Sequence, residues 1–101
     1  MQSFRLIITD TAKADLRNIR KHIEKDSPET AKTFVQDLAT KLYSLAENGV
    51  IGSSRDNIKK GLRGFPYRGR CFYFHIIDDK LYVIRVLHSS QDITLQEFPH
   101  I

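Results

Sequence analysis

The sequence predicts an α+β fold: an N-terminal strand, then an antiparallel helical hairpin packed on a mainly antiparallel four-stranded sheet, in the order β-α-α-β-β-β. Three observations carry that expectation. A short β-branched run opens the chain, two long stretches repeat apolar residues at helical spacing, and three strand-like runs follow, with a two-residue turn between the last two. At 101 residues the chain has room for one hydrophobic core rather than two, so a single domain over residues 1–101 is expected, with 89–101 as a tail.

The first strand is Phe4 to Thr9. Asp10 or Thr11 then offers a side-chain oxygen to cap a helix, whose apolar stripe is Ala12, Leu16, Ile19 and Ile23. Asp26-Ser27-Pro28-Glu29 ends that helix and starts the next: Ser27 suits the N-cap, Pro28 the first turn, and Glu29 the positive end of the helix dipole. The second stripe runs through Ala31, Phe34, Val35, Leu38, Leu42 and Leu45, and Gly49 can take the left-handed conformation that closes a helix. Each helix has one apolar face, so each needs a cover. After a loop from Val50 to Asn57 the strand-like runs are Lys59 to Phe65, Arg70 to Ile77 and Leu81 to His88. Pro66 and Gly69 separate the first two, and Asp78-Asp79 makes a tight turn between the second and third. The tail holds a short turn of helix before Pro99.

Apolar residues make up 41% and charged residues 28%, which excludes a disordered tail and fits a globular chain. No apolar run reaches the ~20 residues that span a bilayer, so no membrane role is expected. The N-terminus lacks the basic and apolar segments of a signal peptide, which implies a cytoplasmic location. Cys71 is the only cysteine, which excludes an intrachain disulfide. His22, His75, His88 and His100 have no metal-ligand spacing, and no phosphate-cradling loop or nucleophile motif occurs, so neither metal nor cofactor is expected. The net charge is +4, and its positive part is concentrated in Arg55, Lys59, Lys60, Arg63, Arg68 and Arg70, opposed there only by Asp56. Such a patch suits an acidic partner (RNA, DNA or an acidic protein segment), or is simply a solvated surface.

Alternation along the last two strands leaves neither with a clean polar face. Tyr82, Ile84, Val86 and His88 are expected on one side of the last strand, with Leu81, Val83, Arg85 and Leu87 on the other. Two helices can cover one sheet face, so the second is expected to stay open as a binding surface rimmed by Arg63, Arg68, Arg70 and Arg85. Arg85 interrupts an apolar strand and needs either an ion pair, with Asp92 as the candidate, or an anionic partner. His88, at the strand end, suits acid–base chemistry or a structural hydrogen bond to the loop that follows. Cys71 reads as a buried small hydrophobe.

Taken in order, "TAKADLRNIRKHIEKDSPETAKTFVQDLATKLYSLAENGVIGSS" and "IKKGLRGFPYRGRCFYFHIIDDKLYVIRVLHSSQDI" resemble the ParE branch of the RelE/ParE toxins of type II toxin–antitoxin systems. The most specific pieces are "IRVLHSSQD" from Ile84 to Asp92 and "LRGFPY" from Leu62 to Tyr67. The resemblance covers nearly the whole chain. It implies a bacterial toxin that inhibits DNA gyrase and hence replication, serves plasmid or chromosomal stabilisation, and is neutralised by a cognate antitoxin, alone or in a dimer or larger complex. It also implies that Arg63, Arg68, Arg70 and Arg85 meet target or antitoxin. RelE-type relatives instead cleave mRNA on the ribosome, and under that alternative Arg70, Arg85 and His88 would be catalytic. No Tyr follows His88, so RNA cleavage lacks the partners it needs and a non-enzymatic toxin is favoured. A second alternative is a non-poisoning homologue that acts only in antitoxin-linked transcriptional regulation.

Overall fold

The computed structural model describes residues 3–99. Strand β1 (Arg5–Ile8) leads into helices α1 (Asp10–Glu24) and α2 (Pro28–Glu47), followed by β2 (Ser53–Ser54), β3 (Arg63–Tyr67), β4 (Arg70–Ile77) and β5 (Lys80–His88). A 3-10 turn, Ile93–Leu95, lies in the tail before Pro99. The sheet is five-stranded rather than four-stranded, in the order β1-β5-β4-β3-β2. The additional strand is the two-residue β2, too short to carry an alternation signal in the sequence. Only β1 runs parallel to its neighbour, β5, and the helical hairpin supplies the crossover between them.

Local chemistry sets the boundaries. Thr9, not Asp10 or Thr11, caps α1: its Oγ1 accepts from Ala12 N at 3.3 Å and donates to Val83 O at 2.7 Å, tying the helix start to the sheet. Ser27 caps α2 with Pro28 in the first turn, and Gly49 after its end sits at φ +65°. The expected strand from Lys59 begins instead at Arg63, because Lys59 to Leu62 close a turn in which Leu62 N donates to Lys59 O. Arg68-Gly69 form the β3–β4 turn with φ of +49° and +74°, so Pro66 falls inside β3. Asp78-Asp79 form the β4–β5 turn, with Asp78 at φ +56°.

Both helices lie on one face of the sheet. Ala12, Leu38, Leu42, Leu45 and Ala46 interlock there with Phe72, Phe74, Leu81, Val83 and Val86, all nearly inaccessible to solvent. The other face carries Leu62, Cys71, Tyr73, Ile84 and Leu87, and it is not open as expected. Ile58 from the preceding loop and Ile93 and Phe98 from the tail pack over it, with the Phe98 ring edge-on to Tyr73 at 5.2 Å. The chain therefore covers its own second face, and Cys71 is buried beneath that cover.

The facing of β5 also departs from simple alternation. Tyr73 opposes Arg85 while Phe74 opposes Val83, so Ile84 is an extra residue in a β-bulge. The bulge switches parity: Leu81, Val83 and Val86 face the helices, while Ile84 and Leu87 face the tail. By alternation with Val86, Arg85 starts on the tail side.

Candidate functional site

β1 pairs with β5 only as far as Val83, which leaves the second half of β5, from Ile84 to His88, without a strand on that side. α1 runs past this open edge and presents Asp15, Asn18, Ile19 and His22, residues that share one helix stripe. Between that stripe and the ends of β4 and β5 lies a cleft of about 510 Å³, completed by Arg70, Arg85, Val86, Leu87, His88 and Gln91. Arg70 and His88 are direct cross-strand partners, the first residue of β4 opposite the last of β5. Three residues singled out in the sequence, Arg70, Arg85 and His88, thus converge, whereas Arg63 and Arg68 do not line this cleft.

Arg85 is held by Asp15, not by Asp92. Its Nε and Nη2 donate to the two carboxylate oxygens at 2.8 and 2.9 Å, and its Nη1 donates to Glu97 O at 2.8 Å. The pair is well shielded, with side-chain exposures of 13% and 11%, and the Asp15 hydrogen bonds hold the Arg85 pKa above its ordinary value. Asp15 also accepts from Val86 N at 2.9 Å, satisfying a backbone donor on the open edge of β5. Gln91 Oε1 does the same for His88 N at 2.7 Å. Two side chains therefore finish the edge that β1 leaves bare. Asp92 instead accepts from Thr94 N and Thr94 Oγ1, hydrogen bonds that lower its pKa and shape the 3-10 turn.

His88 is exposed, and its Nδ1 accepts from Ser90 N at 3.0 Å with Ser90 Oγ 2.6 Å away. That bond fixes the ring and places the proton of the neutral form on Nε2. The contact is the structural one of the two roles expected for this histidine.

The remaining arginines separate by what they touch. Arg63 donates to the carbonyls of Ile51 and Gly52 and pins the loop after α2. Arg68, on the β3–β4 turn, donates to Asp37 at 2.8 Å and lies 4.8 Å from the Phe34 ring centre. Asp37 also accepts from the Tyr67 hydroxyl, and the Arg68 and Tyr67 hydrogen bonds together lower its pKa. Arg70 shares the same ring at 5.3 Å, but its side chain makes no hydrogen bond or ion pair among the described residues, and its Nε is buried with no acceptor. Burial accordingly lowers its pKa. Among Arg63, Arg68, Arg70 and Arg85, only Arg70 keeps its donors uncommitted.

Sequence reasoning missed Asp15, Phe34, Asp37 and Gln91. The i, i+3, i+4, i+7 spacing of Asp15, Asn18, Ile19 and His22 was legible, but nothing in it says that the stripe meets the end of β5. Among the described residues no group of three or more His, Cys, Asp or Glu could hold a metal ion, and no helix is long and apolar enough to cross a membrane. His100 lies outside the described residues.

Residues 6–93 match the family model described as the ParE toxin of type II toxin–antitoxin system, parDE. Among solved structures, the chromosomal ParDE TA system from P. aeruginosa is similar at 25% identity with a TM-score of 0.72, covering 87% of this chain and 96% of that one. No match was found among curated proteins.

Proposed function

Because the chain belongs to the ParE toxin family of type II toxin–antitoxin systems, we propose that it acts in the cytoplasm as a toxin that inhibits DNA gyrase and is neutralised by a cognate antitoxin. The observation that carries this reading is the family match over residues 6–93, supported by the likeness to a ParDE system along almost the full length of that structure. The site adds a chemical argument. Acid–base chemistry on RNA needs a base, a proton donor for the leaving oxygen, and cations free to meet phosphate. Here Arg85 is committed to Asp15, the Nδ1 of His88 to Ser90, and of the two arginines lining the cleft only Arg70 is free among the described residues. A poison that works by binding needs none of these groups to turn over.

The test is a supercoiling assay with purified protein and gyrase. Loss of supercoiling, or accumulation of linear DNA, is expected at micromolar toxin, and unimpaired supercoiling would refute gyrase as the target. The ribonuclease alternative draws support from the convergence of Arg70, Arg85 and His88 on one cleft. It requires codon-phased cuts in mRNA on translating ribosomes that disappear in His88→Ala. The regulator alternative requires that overexpression without an antitoxin be harmless.

A further inference from the structure

We infer that the cleft between α1 and the ends of β4 and β5 receives a single carboxylate, from an aspartate or glutamate on an amphipathic segment of the neutralising partner, and that Arg70 is the group that binds it. The inference rests on the reading of this chain as a toxin with an antitoxin, and it names the contact.

A guanidinium carries five donors, and burying one without an acceptor costs free energy. The Nε of Arg70 is in that position, with the Phe34 ring beside the guanidinium. With no acceptor already held, the guanidinium is available to an incoming one, and a carboxylate matches its planar fork in two-point contact, a small side-chain shift bringing the solvent-shielded Nε into reach. The neighbouring cations cannot do this without giving something up. Arg85 would have to release Asp15 and Glu97 O, and Arg68 would have to release Asp37.

The charge of the cleft selects the ligand. Arg70 and Arg85 are offset by Asp15, which leaves one net positive charge when the histidines are neutral. One charge suits a monoanion. A nucleic-acid strand presents a row of phosphates, draws its affinity from several cations, and would meet Asp15 as a repulsive group. The remaining lining includes Ile19, Val86 and Leu87, which offers cover for an apolar side chain next to the acidic one.

The experiment pairs the purified chain with the protein encoded by the adjoining reading frame. Affinity is measured for the wild type, Arg70→Gln and Arg70→Lys, and the Arg70 Nε–Hε resonance is followed by NMR in the wild type. The expected loss for Arg70→Gln is on the order of 30-fold or more, with a smaller loss for Arg70→Lys, which keeps the charge but not the fork. The Nε–Hε resonance, which needs no variant to fold, should shift on adding the partner and stay still on adding a single-stranded oligonucleotide. A tight complex indifferent to Arg70→Gln, with a stationary resonance, overturns the site but leaves the antitoxin reading intact. Failure of the wild type to form any complex overturns both. A resonance that moves with the oligonucleotide instead assigns the cleft to nucleic acid.

Discussion

On one face of the sheet Phe72, Phe74, Leu81, Val83 and Val86 meet helices of 15 and 20 residues, each capped at its start and fixed by its own backbone hydrogen bonds. On the other, Leu62, Cys71, Tyr73, Ile84 and Leu87 meet one loop residue, Ile58, and a tail whose only regular element among the described residues is three residues long. Apart from the turn hydrogen bonds of Ser90 and Gln91 to His88, the tail is held to the rest of the described chain by few polar contacts: Lys59 Nζ to Phe98 O at 2.7 Å, Arg85 Nη1 to Glu97 O at 2.8 Å, and Ser89 N to Gly69 O at 2.9 Å. Helices keep their shape when one contact is lost, whereas an irregular segment is ordered only by what it touches. The helix-covered face is therefore where stability resides, and the tail-covered face is where the molecule opens first.

The largest effect expected follows from truncating one aromatic on each side. Phe72→Ala leaves a cavity under both helices and should cost about 3–5 kcal/mol in chemical denaturation. Phe98→Ala removes an edge-on ring from a partly exposed position and should cost about 1–1.5 kcal/mol. In native-state hydrogen exchange it should also speed the Ser89 and Gly69–Cys71 region while leaving the amides of Val83 and Leu42 at their former protection. Equal losses of stability for the two variants would show that the two covers are equivalent and end the comparison.

Asp15 tests the boundary between the two faces, because Arg85 leaves the tail side and reaches α1 round the open edge of β5. Asp15→Ala strands a shielded guanidinium and exposes Val86 N together, so a loss of about 3 kcal/mol in thermal or denaturant unfolding is expected. Asp15→Asn, which can keep one acceptor, should lose less. An unperturbed Asp15→Ala would mean that water or Glu97 satisfies Arg85 as well, and the edge would then need no cap.

How much of this was legible in the sequence depends on the range of the interaction. The two helices follow from periodicity, and the Gly49 stop and the Asp78-Asp79 turn from local backbone preference; each is decided within a few residues. The bulge at Ile84 is not local. It arises from how β5 must pair with β4 and β1 at once, and missing it misplaced Val86 and Leu87. The partner of Arg85 was missed for the same reason: Asp15 lies 70 residues away in sequence, and only the parallel placement of β1 beside β5 brings α1 to that edge. The open sheet face failed because the tail has no periodicity: Ile93 and Phe98 pack on the sheet while Leu95 between them is exposed, and nothing in the sequence tells them apart. At the site, the arginines and His88 were visible as residue types. Which of them is free was not, because freedom depends on carboxylates elsewhere in the chain.

The smallest effect concerns how dry the tail-covered face is. Burial beside Phe98, with Cys71 as a neighbour, pushes the Tyr73 hydroxyl from 10.0 up to about 12. The folded protein then holds this proton longer than the unfolded chain does. The stabilisation is complete below pH 10, declines as pH rises from there through about 12, and is gone above that. Thermal unfolding followed against pH should show a steeper alkaline fall in the wild type than in Tyr73→Phe, which has no proton to lose. Phe98→Ala should shallow that fall as well, because water admitted by the missing ring brings the hydroxyl back toward its ordinary value. If the wild type and Tyr73→Phe fall together, the tail does not keep water from this ring, and its cover is looser than the packing of Ile93 and Phe98 implies.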